Sequence, residues 1–148
     1  MKSAVSVLFA AVLLAACASS DQTSSGPNVS VQLRQVNTPT DVFYFSGPVA
    51  LQYEVDVTNP TPDPLTLERL DLSSVGPGAY SVRTSGTPMN LKVPPNSTAR
   101  FMISVWGRAR GGYLAASEPV TIRGTAYFRD EATRKPFVRI FTENVIPS

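Results

Sequence analysis

From Val29 onward, apolar side chains recur at every second position rather than every third or fourth, which is the periodicity of half-buried β-strands. The clearest run is Leu51-Gln52-Tyr53-Glu54-Val55-Asp56-Val57-Thr58, with Leu51, Tyr53, Val55 and Val57 on one face and polar residues on the other. A second strand is predicted over 100–106, where Phe101, Ile103 and Val105 alternate with Arg100, Met102 and Ser104. A third covers 120–128, with Ile122 and Ala126 facing inward. Weaker runs at 29–36, 42–45, 65–72, 80–83, 90–93 and 137–141 bring the expectation to eight or nine short strands.

Between these runs stand turn clusters rich in proline and glycine: 59–64, Gly76-Pro77-Gly78, Gly86-Thr87-Pro88, Pro94-Pro95-Asn96-Ser97 and Arg110-Gly111-Gly112. Proline fixes φ and glycine permits positive φ, so each cluster can reverse the chain. Short strands at this spacing predict an all-β, two-sheet antiparallel sandwich of the immunoglobulin or fibronectin type III kind, with about seven to nine strands. No repeat is visible, and only 113–117 has the pattern for a helical turn.

The amino terminus breaks the alternation. Residues 4–16 are apolar except for Ser6 and follow Lys2, a segment too short for a membrane span of roughly 20 residues but suited to export. Leu14-Ala15-Ala16-Cys17 resembles a lipobox, so cleavage is expected between Ala16 and Cys17, with acyl chains added to Cys17. Ordinary secretory cleavage after Ala18 is the competing reading, since Ala16 and Ala18 are both small. Cys17 is the only cysteine among 148 residues, which leaves it no internal disulfide partner. Each buried methylene contributes about 0.8 kcal/mol, so two or three acyl chains make a lasting anchor where one does not.

Ala18 and Ser19 follow the cysteine, rather than the aspartate of an inner-membrane retention signal, which favours the outer membrane. Residues 18–27, ASSDQTSSGP, have the composition of a flexible tether with a reach of roughly 15 to 20 Å. The expected organisation is therefore a signal peptide over 1–16, a lipidated cysteine and tether over 17–28, and one domain over 29–148.

The strand VALQYEVDV, then Asn59-Pro60-Thr61 with Pro64-Leu65-Thr66-Leu67, then VPPNSTARFMISV, then Pro119-Val120-Thr121-Ile122-Arg123-Gly124, together resemble the type 2 late embryogenesis abundant proteins. Their water-stress and hypersensitive-response (WHy) domain would cover roughly 29–146, with Asn-Pro-Thr standing where that family usually has Asn-Pro-Asn. The resemblance implies a fold similar to fibronectin type III, a non-enzymatic role and an association with stress protection. It brings no catalytic residues.

Composition agrees with that implication. There is no histidine, which removes the commonest general base and the usual Ser-His and Cys-His nucleophile arrangements. With the one cysteine committed to lipid, a thiolate metal site is not expected either, and no cofactor is. Glu54 and Asp56 share a strand face and are the nearest approach to a paired-carboxylate site, although they also serve simply to solvate that face. Asp130-Glu131 fits a hairpin turn. Asn28-Val29-Ser30 and Asn96-Ser97-Thr98 match glycosylation sequons by coincidence in a bacterial lipoprotein.

The net charge of +2 gives no global attraction to nucleic acid. Its distribution is uneven: 17–75 hold 2 basic and 7 acidic residues, whereas 76–148 hold 10 basic and 4 acidic. If Arg123, Arg129 and Arg139 share an outer face, they form a basic surface for lipid phosphates or an anionic envelope polymer; the alternative is cross-strand pairing with the acidic first half. Trp106 lies opposite Phe101, Ile103 and Val105 by alternation and is either an exposed binding aromatic or a cover over its neighbours. The expected function is a lipid-anchored, non-catalytic module of the cell envelope, stress-protective or binding. The alternatives are an accessory or assembly lipoprotein that holds another envelope protein, and a histidine-free carbohydrate-active enzyme.

Overall fold

The computed structural model describes residues 26–37, 46–84, 86–111 and 118–146. The expected signal segment, Cys17, the expected tether up to residue 25, the expected strand at 42–45 and the candidate helical turn at 113–117 lie outside them. Among the described residues every regular element is a strand: β1 (Ser30–Gln35), β2 (Gly47–Asn59), β3 (Leu65–Val75), β4 (Tyr80–Val82), β5 (Thr87–Val93), β6 (Ser97–Ala109), β7 (Val120–Asp130) and β8 (Pro136–Val145). They form two antiparallel four-stranded sheets, one ordered β1-β2-β6-β4 and the other β5-β3-β7-β8.

The alternation read from sequence is the alternation of burial. Leu51, Tyr53, Val55 and Val57 of β2 are fully buried, as are Leu65 and Leu67 of β3 and Ile122, Ala126 and Phe128 of β7. Fully burying one such large aliphatic or aromatic side chain stabilises the fold by roughly 1.5–3 kcal/mol, so the facing inner surfaces hold the sandwich together. Phe128 stacks on Phe137 across the β7–β8 pair at 5.2 Å. Gly124 leaves room for the ring of its cross-strand partner Phe141, since a methyl group there would lie 2.0 Å from that ring.

Two polar networks run through this apolar interior. At one end, Asn59 is completely buried, and its amide donates to the carbonyls of Asp63 (2.9 Å), Pro94 (3.1 Å) and Val93 (3.4 Å). Its Oδ1 accepts from the Thr61 N–H at 3.0 Å and the Thr61 hydroxyl at 2.7 Å. Asn59 thereby pins the turn over 60–64 to the Pro94-Pro95 turn, joining two segments far apart in sequence. In the middle of the core, the Tyr53 hydroxyl donates to the Tyr80 hydroxyl at 2.9 Å, which donates to Gln35 Oε1 at 2.5 Å. Burial pushes both phenols up: Tyr53 far above its ordinary value, with the neighbouring Tyr80 charge adding to the effect, and Tyr80 to about 12.

The turns fix which end is which. The entry to β1 and the β2–β3, β5–β6 and β7–β8 connections lie at one end; the β1–β2, β3–β4 and β6–β7 connections lie at the other. Gly26 and Pro27, expected to belong to the loose tether, are instead packed on β8. Their carbonyls accept from the Arg139 guanidinium, and Gly26 sits so close to Phe137 that a side chain would collide with its ring. Among the described residues, packing on the sandwich thus includes Gly26 and Pro27, ahead of the expected boundary at Val29.

Candidate functional site

β4 is three residues long and is used as a corner. Tyr80, Ser81 and Val82 pair with Ala109, Arg108 and Gly107 of β6, after which the chain crosses to the other sheet. There Arg83 bridges Ser73, the Thr84 N–H donates to Leu72 O at 2.8 Å, and the Val82 N–H donates to Ser74 Oγ at 3.1 Å. Glycine at position 107 permits the close approach, because a Cβ there would meet Leu51 at 2.7 Å and the Ser81 carbonyl at 3.0 Å. Bending one surface from sheet to sheet leaves an open groove of about 680 Å³ lined by Ser73, Ser74, Ser81, Arg83, Trp106 and Arg108, with Val82 and Gly107 beneath.

Trp106 is 71% exposed, so it projects from the groove wall rather than covering neighbouring side chains. Arg83 and Arg108 are exposed as well, and among the described residues neither guanidinium has an ion-pair or hydrogen-bond partner. Among the described residues no carboxylate lines the groove. An aromatic face, two unneutralised guanidiniums and the hydroxyls of Ser73 and Ser81 are the chemistry available there, Ser74 Oγ being bonded to β4. Alternation alone puts Trp106 and Arg108 on one face of β6; Arg83 joins them only because β4 turns the corner, which sequence does not reveal.

The basic face considered for Arg123, Arg129 and Arg139 does not form, and Arg129 instead follows the alternative of cross-strand pairing. Arg123 and Arg129 point outward from β7, and Arg129 is ion-paired with Glu68 on β3. Arg139 is in register with the inward-facing Ala126 and lies on the Phe137 and Phe141 side of β8, where its guanidinium holds Gly26 and Pro27. Residues directly opposite in an antiparallel pair share a face, so Arg139 stands on the other side of the sheet from Arg123 and Arg129. The outward positions beside them on β8 are Val138 and Ile140, 37% and 46% exposed.

Glu54 and Asp56 do share a face, and arginines occupy both. Arg34 donates to Glu54 at 2.7 Å, and Arg100 grips Asp56 through Nε at 2.7 Å and Nη2 at 2.8 Å. The Arg100 hydrogen bond holds the Asp56 carboxyl below its ordinary range. These are cross-strand pairs between β1, β2 and β6. Asp130 is likewise committed to structure: it caps the β7–β8 turn by accepting from the N–H groups of Ala132 at 2.9 Å and Thr133 at 3.0 Å, which lowers its pKa. Among the described residues no three potential metal-ligating side chains come together.

No protein-family model matches the chain, and no curated protein does. Its likeness is to solved structures. One is an X-ray structure of a Northeast Structural Genomics Consortium target, SoR45, similar with a TM-score of 0.50 and 12% identity over 80% of this chain and 88% of that one. Another is a crystal structure of a protein from Archaeoglobus fulgidus, with a TM-score of 0.46 and 15% identity over 78% of this chain and 91% of that one. At such identity the first shows shared architecture, the two-sheet all-β fold, and nothing of activity.

Proposed function

We propose that this chain is a lipid-anchored, non-catalytic module of the cell envelope, a sandwich of the type 2 late embryogenesis abundant kind that works by surface contact through the Trp106 groove. The observation that carries the reading is the exposure of Trp106 beside two arginines without acidic partners among the described residues. Supporting the family reading, the Asn59-Pro60-Thr61 and Pro94-Pro95 segments that carry the resemblance are hydrogen-bonded to each other. Cys17 supplies the anchor and places the module at the outer membrane. Glu54 and Asp56, the carboxylate pair singled out from the sequence, are engaged by arginine.

Complementation of a deletion strain under drying or osmotic stress tests this reading at matched protein levels. Wild type restores survival, while Cys17→Ser, released from the membrane fraction, and Trp106→Ala do not. Full rescue by Trp106→Ala removes the groove from the function, and an unmodified Ser19 at the mature terminus removes the anchor.

A second reading, an accessory lipoprotein holding another envelope protein, is favoured by β8 alone. This is a ten-residue edge strand with Val138 and Ile140 on its outward face, a geometry open to strand addition.

A further inference from the structure

The groove at the β4 corner narrows the class of ligand. Among the described residues it offers one large apolar surface, the Trp106 indole, and no other exposed apolar side chain, since Val82 beneath it is 3% exposed. Protein–protein hot spots join several apolar side chains into a dry centre ringed by polar groups. Here a single aromatic face is surrounded by the hydroxyls of Ser73 and Ser81 and the guanidiniums of Arg83 and Arg108.

A saccharide ring has the complementary distribution, one C–H face to lie on an indole and a rim of hydroxyls to exchange hydrogen bonds with serine and arginine. The guanidiniums add a sign. Arg108 is directly opposite Ser81, and Arg83 directly opposite Ser73, so a cation flanks the groove on each side with no carboxylate between them among the described residues. Guanidinium forks match carboxylate and phosphate geometry in two parallel hydrogen bonds.

Resting on the surface-contact reading above, we propose that this groove binds an acidic glycan: a sugar ring stacks on Trp106, and its carboxylate or phosphate substituents are held by Arg83 and Arg108. Ser73 and Ser81 take ring hydroxyls. Gly107 keeps β4 and β6 close enough for the two arginines to serve one ligand.

Trp106 is the only tryptophan of the chain, so its fluorescence reports this site alone. The detergent-solubilised lipoprotein is titrated with hexagalacturonate, a phosphorylated oligomannose, cellohexaose and inorganic phosphate. One or both acidic saccharides shift the emission saturably, at least tenfold more tightly than cellohexaose, with affinity falling as salt rises. Which of them binds more tightly identifies the acidic group. Inorganic phosphate, lacking a ring, produces no shift. Arg83→Gln and Arg108→Gln each weaken binding about five- to tenfold without changing the far-ultraviolet spectrum, which separates loss of contact from loss of fold. Equal affinity for cellohexaose, unchanged affinity in both arginine variants, or no response to any saccharide overturns the proposal.

A photo-crosslinker at position 106 in living cells keeps the two readings apart. A discrete protein adduct overturns the glycan and leaves surface contact standing, whereas no adduct together with no saccharide response removes both.

Discussion

Tyr80→Phe should cost more than Tyr53→Phe, although the two phenols touch each other and both are buried. Tyr53 donates to Tyr80, and Tyr80 donates onward to Gln35, whose side chain is itself buried. Deleting the Tyr80 hydroxyl strands two groups at once: the Tyr53 proton loses its acceptor, and Gln35 Oε1 loses its donor. Each buried orphan costs about 1–3 kcal/mol, so a total of roughly 2–4 kcal/mol is expected after some relaxation. Deleting the Tyr53 hydroxyl removes one bond and leaves the Tyr80–Gln35 bond intact, a loss of about 0.5–1.5 kcal/mol. Against a total stability of about 5–15 kcal/mol the difference is readable by urea denaturation followed by circular dichroism.

The same pair sets an alkaline limit. In the unfolded chain a tyrosine ionises near pH 10, whereas in the fold Tyr80 is pushed up to about 12 and Tyr53 higher still. The folded state therefore keeps protons that the unfolded state gives up. Stability is full below pH 10 and is lost as pH rises toward 12, by roughly 2–3 kcal/mol for Tyr80 alone. Tyr80→Phe starts lower but declines less steeply above pH 10. Equal costs for the two substitutions, or a Tyr80→Phe variant with an unaltered alkaline slope, would refute the ordered chain of donors.

Asn59→Ala empties a buried position with five polar contacts and should lose about 3 kcal/mol or more in chemical denaturation, with Asn59→Asp no better because the amide donors are gone. Gly124→Ala should lose about 1–3 kcal/mol through collision with the Phe141 ring, and Phe141→Leu in the same chain should recover part of that in a double-mutant thermal melt. Arg139→Ala should barely move the melting temperature yet speed limited proteolysis near Gly26, since it frees two carbonyls at the edge of β8 without opening the core.

Much of the fold was legible in sequence because two-residue alternation directly reports which face of a strand meets the core. β2, β6 and β7 were each recognisable, and their inward sets, including the outward place of Trp106, follow from that period. Strand partners were not legible. The order β1-β2-β6-β4 depends on registers such as Leu51 with Val105, set by long-range packing that no local pattern contains. The outer face considered for Arg139 rested on charge alone, whereas its spacing of two from both Phe137 and Phe141 sets it on their side of β8. A long arginine at a sheet edge can share an apolar face because its head reaches out to carbonyls. Arg83 and the Tyr80–Gln35 bond were invisible because each depends on where a three-residue strand turns between sheets.

The clasp that Arg139 places on Gly26 and Pro27 makes the domain a ruler. It fixes the departure of the amino-terminal tether at the end of the sandwich where β6 begins, while Trp106 lies nine residues farther along that strand. At about 3.3 Å per residue the groove sits roughly 30 Å from the tether's point of departure. On the anchoring proposed through Cys17, that length of rigid strand separates the groove from the end of the domain at which the chain enters. Arg139 thus holds the entry of the chain at one end of the sandwich and so sets how far that entry lies from the groove.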